Sequence, residues 1–199
     1  MKTKIILFIS IFLFLINNAY AKDQIKLKKC IDGDTFKAVI DGTEYTIRML
    51  SIDTPEINPE VEYYGTEASN YTCKKLTNAK KIELEYDLKS DKFDKYQRLL
   101  AWVFTDNKLL QEELIEKGYA KVAYLYDDYK YNELLKEKQE LASNKNIGVW
   151  NEYAKKVYKQ KEKEDPDIER HKSIEAILIT ILLLIITYIY KLLKPIKRY

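Results

Sequence analysis

Between residues 35 and 49 two short runs, Thr35–Ile40 and Glu44–Met49, are rich in β-branched and aromatic residues and are separated by Asp41-Gly42. That dipeptide supplies the positive-φ pair that a tight hairpin turn needs, so the two runs predict antiparallel strands. Strand character extends over the whole interval from Lys26 to Ile52, enough for three strands. The period then changes. Helical spacing from Thr66 to Ala79 gives way to an alternating strand at Ile82, Leu84 and Tyr86, and to another strand around Leu99–Phe104. Leu109–Lys117 reads as a helix that stops at Gly118, a residue suited to the left-handed C-terminal position, and Tyr131–Ala142 reads as a third helix.

Three strands, a helix, two strands and two helices make an α+β domain. Short strands with a helix inserted after the third predict a five-stranded Greek-key barrel of the OB type, with its three helices packed outside. No repeat at solenoid or propeller periods interrupts this order. The domain should occupy residues 22–154, because the two ends of the chain have different patterns. Residues 1–21 carry Lys2 and Lys4, an apolar run from Ile5 to Ile16 and a small-residue site at Ala19-Tyr20-Ala21, the three parts of a secretory signal peptide. Residues 155–173 are a charged spacer with too little apolar content to bury a face. The run Ala176–Tyr190 is apolar on every face and, extended to Ile174 and Leu193 with Glu175 and Lys191 at the two interfaces, makes residues 174–193 long enough for a transmembrane helix. The basic tail at 194–199 then belongs in the cytoplasm and the domain on the extracytoplasmic side of the cell membrane.

Charge changes the picture less than its total implies. The net charge of +3 includes six cations in residues 1–21 and 191–199, which leaves 28 Lys and Arg against 31 Asp and Glu, or −3, between residues 22 and 190. A broad basic field is therefore excluded as the basis of polyanion binding, and any phosphate must be met by a few placed cations. Cys30 and Cys73 are compatible with one disulfide in an exported protein, although spacing alone leaves a bridge and two buried thiols both open. The single histidine, His171, lies in the spacer, which excludes histidine zinc sites and Ser-His or Cys-His nucleophiles. Catalysis, if present, falls to carboxylates, arginines, tyrosines or a hard metal ion.

The densest group of such residues is Asp32-Gly33-Asp34-Thr35, Arg48 and Asp53-Thr54-Pro55-Glu56. Asp34 and Asp53 with a backbone carbonyl make an oxygen-only donor set of the kind calcium takes, and Glu56 adds a carboxylate that can serve as a ligand through water or as a base. These runs continue with Tyr64-Gly65-Thr66-Glu67-Ala68-Ser69, Asn78-Ala79-Lys80-Lys81-Ile82-Glu83, Asp94-Lys95-Tyr96-Gln97-Arg98 and Gly118-Tyr119-Ala120-Lys121-Val122-Ala123-Tyr124. In order and spacing, from Lys26 to about Trp150, the chain resembles the staphylococcal nuclease (thermonuclease) family.

The resemblance implies a calcium-dependent endonuclease acting on DNA and RNA and leaving 3′-phosphate ends, with a monomeric catalytic domain. It implies that Asp34, Asp53 and the Thr54 carbonyl hold Ca2+ with Asp32 supporting them, that Glu56 orients or deprotonates the attacking water, and that Arg48 and Arg98 clamp the scissile phosphate. It further implies that Tyr96 and Tyr124 contact the nucleotide and that Lys95 and Tyr126 line the groove. Two departures matter. Gln97 stands where the family pattern has glycine, which bears on the aim of Arg98. The loop between Glu56 and Tyr64 is short and carries Glu60 and Glu62 in place of lysines, which should weaken the grip on polyanions or alter the preference between DNA and RNA. The alternative function is a noncatalytic nucleic-acid or protein binding module on the same barrel, as in Tudor-type nuclease-like proteins.

Overall fold

The computed structural model describes residues 22–164 and 166–193. Its first three strands, β1 (Asp23–Cys30), β2 (Thr35–Ile40) and β3 (Thr43–Met49), form an antiparallel meander. Asp41 and Gly42 hold φ of 47° and 84° in the β2–β3 turn, the left-handed pair expected of Asp-Gly. Because successive strand residues face opposite sides, Phe36 and Ala38 point inward opposite Ile47 and Tyr45, and Phe36, Ala38 and Ile47 are fully buried.

The chain continues through β4 (Ile52–Asp53), α1 (Gly65–Asn78), β5 (Ile82–Glu85), β6 (Leu99–Thr105), β7 (Lys108–Leu109), α2 (Leu110–Glu116), β8 (Lys121–Val122) and α3 (Asn132–Asn144), with a 3-10 turn at Gly148–Trp150. The main sheet has the order β3-β2-β1-β5-β6-β7, and a parallel pairing of β3 with β6, Ile47 opposite Leu99, brings its far strands together. Five strands thus close into the expected barrel, so each of β1, β2, β3, β5 and β6 is paired on both sides. The three helices lie within a few residues of the sequence expectation. The two-residue strands β4 and β8, which pair Ile52 with Val122 and Asp53 with Lys121, are too short to leave a periodic trace.

The interior is filled by Trp102, Leu84, Leu99, Leu110, Leu114, Ile115 and Leu135. The polar side chain of Gln111 is enclosed among them. Gln111 accepts from the Val103 amide and donates to the Ala101 carbonyl, both at 3.0 Å, so its burial leaves neither end unpaired.

Cys30 and Cys73 are bridged, with Cα atoms 5.7 Å apart, which fixes the end of β1 to α1. The neighbouring Thr72 hydroxyl donates to the Gly33 carbonyl at 2.6 Å, so α1 grips the turn before β2 twice. The bridge closes a loop over a sequence separation of 43. In the chain-entropy account such a loop stabilises by about 4 kcal/mol. Replacing both cysteines by serine should lower the melting temperature accordingly, and an unchanged value in thermal unfolding would assign the bridge no such role.

The first compact unit ends at Asn151, three residues before the expected boundary, and a second begins at Glu152. In the second, α4 (Glu152–Glu164) makes the start of the charged spacer helical, and α5 (Pro166–Leu193) contains the segment expected to span a membrane. Ile177, Leu178, Ile179, Leu182 and Leu183 on α5 are each more than half exposed. Among the described residues no helix is long and apolar enough to cross a membrane. The expected signal peptide at 1–21 and the basic tail at 194–199 lie outside the described residues.

Candidate functional site

The site begins in the turn between β1 and β2. Asp32 Oδ1 accepts from the amides of Asp34 at 3.0 Å and Thr35 at 2.7 Å, a side-chain-closed turn that fixes the direction of Asp34. At Gly33 any Cβ would fall 2.6 Å from Thr54 Oγ1, so glycine alone lets this turn touch the loop after β4. Through that contact Asp34 reaches Thr54: its Oδ2 accepts from the Thr54 amide at 2.9 Å and hydroxyl at 3.1 Å. Asp34 is 5% exposed, and these bonds satisfy what burial would otherwise orphan.

Arg48, at the end of β3 opposite Thr35, stands between the two expected metal carboxylates. Its Nη1 lies 3.1 Å from Asp34 Oδ1 and its Nη2 3.3 Å from Asp53 Oδ1, while Nη1 also donates to the Met49 carbonyl. Tyr124 covers the guanidinium with its ring 5.3 Å away and donates its hydroxyl to Asp53 Oδ1 at 3.3 Å. The backbone of Tyr124 takes a φ of 57°, which turns the ring back over the barrel mouth just after β8. Arg48 here neutralises Asp34 and Asp53, and its expected role on a phosphate requires that a cation take over both partners.

Glu56 follows in the loop after β4, and that loop is closed on itself. The Glu56 amide donates to Glu62 Oε2 at 3.0 Å, and the Glu62 amide donates to the Glu56 carbonyl at 2.9 Å. A Cβ at Gly65 would collide with the Glu56 carbonyl oxygen, so the start of α1 can approach only as glycine. The acidic loop residue Glu62 therefore positions Glu56.

Electrostatics within the group follow from crowding. Burial first, then the neighbouring Asp34, raises the carboxyl pKa of Asp53 above its ordinary value, against the pull of Arg48. Burial and the combined charges of Asp32, Asp34, Asp53 and Glu62 raise Glu56, and burial with Asp34 raises Asp32. Carboxylates held close enough to resist ionisation are a site with unmet demand for positive charge. The oxygen-only donors Asp34, Asp53 and the Thr54 carbonyl fit calcium, which accepts carboxylates, carbonyls and waters together. Among the described residues no three or more His, Cys, Asp and Glu gather as a metal cluster, so water would supply much of such a shell.

The second arginine is built from a turn between β5 and β6. Asp94 Oδ1 accepts from the amides of Tyr96 and Arg98, both at 2.9 Å, and Oδ2 accepts from Arg98 Nε at 2.7 Å. Burial opposes ionisation of Asp94, yet the bonds from Arg98 and Tyr96 hold its carboxyl below the usual range. Gln97 sits between them with φ of 62°. It adopts the left-handed backbone that glycine would take more easily, and the turn and the Asp94–Arg98 pair form around it.

Asp32, Asp34, Arg48, Asp53, Glu56, Lys95, Tyr96, Arg98, Tyr124 and Tyr126 all line one open groove of about 830 Å3 at the barrel mouth. Thr54 stands behind Asp34. Tyr96, Tyr124 and Tyr126 are 67%, 50% and 82% exposed, ring faces presented to solvent in the manner of stacking surfaces. Three contributors had no positioning role assigned from sequence: Asp94, which stood only within a matched run, Glu62, which was read only as a loop charge, and Thr72. Of these only Asp94 left a signal, its i, i+4 spacing to Arg98.

Comparison with known proteins gives a consistent picture. The profile described as "Staphylococcal nuclease homologue" matches residues 46–152. The chain is 41% identical over 131 residues to the SPbeta prophage-derived endonuclease YokF of Bacillus subtilis (strain 168), covering 64% of this chain and 44% of the relative. It is 40% identical over 131 residues to the endonuclease YncB of the same organism, covering 64% of this chain and 61% of the relative. It is 38% identical over 128 residues to the thermonuclease of Staphylococcus hyicus, covering 63% of this chain and 74% of the relative. The matches thus span about half the length of the two Bacillus relatives.

Proposed function

Since the chain belongs to the staphylococcal nuclease family, we propose that its groove hydrolyses phosphodiester bonds of DNA and RNA as a calcium-dependent endonuclease. The observation that carries this reading is the convergence of Arg48, Glu56 and Arg98 with Asp34 and Asp53 in one groove. Water attacking a phosphodiester adds negative charge to the nonbridging oxygens, and preplaced cations there lower the barrier. Calcium held by Asp34, Asp53 and the Thr54 carbonyl would supply part of that charge.

Glu56 takes the proton from the attacking water. Its crowded surroundings raise its affinity for that proton, which suits a base. Arg98, fixed through Nε by Asp94, turns its remaining N–H groups toward the phosphate, and Arg48 joins it once its carboxylate partners are otherwise neutralised. Tyr96, Tyr124, Tyr126 and Lys95 hold the nucleotides flanking the cut. Breaking the bond to the 5′-oxygen leaves a 3′-phosphate on one product, and the departing oxygen takes a proton from solvent to become the 5′-hydroxyl of the other. The acidic loop with Glu60 and Glu62 repels the strand where family members carry lysines, so oligonucleotide binding is weaker and less salt-sensitive than in a lysine-looped relative.

The exposed aliphatic surface of α5 supports a further element of the proposal, that the protein is exported and held at the cell membrane by its C-terminal helix. Fractionation of expressing cells tests it: recovery of the whole chain in the soluble fraction would contradict tethering. The nuclease reading is tested by end-group analysis of single-stranded DNA and RNA incubated with calcium or with chelator. Fragments with 3′-phosphates in calcium alone are expected. Binding without any cleavage would favour the noncatalytic module.

A further inference from the structure

The outer face of the β1–β2–β3 meander has an uneven distribution of charge. Thr35 and Arg48 are register partners at the groove end of β2 and β3, and alternation places Lys37, Thr46, Val39 and Glu44 on the same face. The register of β1 against β2 shifts between Leu27 and Lys29. This bulge turns Lys28 and Lys29 outward in succession, both exposed, and sets Lys29 opposite Lys37. Lys26, opposite Val39, extends the same row.

Four lysines thus share this face with one carboxylate. Glu44 pairs with Lys37 at 3.0 Å, with side chains 43% and 41% exposed, a pair that solvent screens and an anion can displace. Lys37 first and Lys28 after it hold the Glu44 carboxyl below its ordinary value, which places Lys28 in the same local field. Like charges directly opposite across a strand pair cost stability. Lys29 and Lys37 accept that cost on a domain whose net charge is negative.

We propose that this face is a binding track for the sugar-phosphate backbone, continuing the groove away from Arg48 and carrying the part of a polynucleotide that the cleavage site does not reach. Its occupant is a single-stranded nucleic acid, favoured over an anionic membrane by its continuity with the groove through the Thr35–Arg48 end of the same sheet face. The inference rests on the nuclease reading for its substrate class. It gives a chain with acidic groups at the loop after Glu56 a second place to grip a long substrate.

The test uses the full chain with Lys28, Lys29 and Lys37 replaced by serine. A control variant carries Lys117→Ser, Lys136→Ser and Lys145→Ser, the same charge change at exposed positions elsewhere. Fluorescence anisotropy with chelator present follows binding of a single-stranded oligonucleotide of about twenty nucleotides across a range of salt. The track variant should show a log–log salt slope flatter by about 2, from about 0.7 per lost contact on a single strand, with the control matching the wild type. Replacing the three lysines by arginine should restore the slope. Equal slopes in the track variant and wild type, or an equal loss in the control, would overturn the track. A chain that binds through these lysines yet leaves the strand uncut in calcium supports the track and contradicts the nuclease.

Discussion

Arg98→Gly lowers kcat by about 10³- to 10⁵-fold, the range found when an arginine that stabilises phosphoryl-transfer charge is removed. The size of the effect follows from how the side chain is held. Asp94 takes its Nε and its amide, so the guanidinium is oriented before substrate arrives, and its contribution is realised where charge grows. The fold should survive the change. Arg98 is a partly exposed residue of a turn, and Asp94 keeps its bond to the Tyr96 amide, so circular dichroism and the melting temperature should stay close to wild type. A variant that melts normally and cleaves at the wild-type rate would remove Arg98 from the chemistry.

Glu56→Gln lowers kcat by about 10²- to 10⁴-fold, the usual share of a positioned base. Its pH signature separates it from a structural role. The Glu56 carboxyl is raised above the ordinary 4.5 by burial and the surrounding carboxylates. Activity of the wild type should therefore fall as pH drops through that raised value, and the variant should lose this limb. Stability runs the other way. A carboxyl raised in the folded chain binds its proton more tightly there than when unfolded. The stability it contributes is present below the unfolded pKa and lost as pH rises through the folded one. Near neutral pH in chelator the glutamine variant should melt no lower than wild type. A drop in melting temperature alongside the drop in rate would instead mark Glu56 as part of the scaffold.

Much of this was legible in the sequence because local chemistry and tertiary structure agree. Asp41-Gly42 encodes its own turn, and Phe36, Ala38 and Ile47 face the core with the period their strands dictate. The runs carrying the candidate site residues, picked out by their resemblance to one family, fall at the turn before β2, after β4 and before β6, and the structure brings them to one groove. The parallel pairing of Ile47 with Leu99 was not, since nothing in either strand's period specifies a partner across that separation. Neither was Glu62, whose carboxylate reads as a surface charge and closes the Glu56 loop only because Gly65 allows α1 to come close. The placement of Arg48 between Asp34 and Asp53 was equally hidden. Sequence shows three charges near one another and does not show which pair neutralises which. Gln97 illustrates the converse: the motif's glycine marks a left-handed backbone, and the structure retains that backbone with a different residue.

Cleavage in the groove is the property on which the nuclease assignment depends. Residues 22–155, which contain the compact unit ending at Asn151, would be incubated with single-stranded DNA and RNA, in calcium and in chelator, beside Glu56→Ser and Arg98→Gly. Cleavage in calcium that stops in chelator and collapses in both variants is the predicted result. Intact substrate under every condition, from a folded protein that binds calcium, would contradict it.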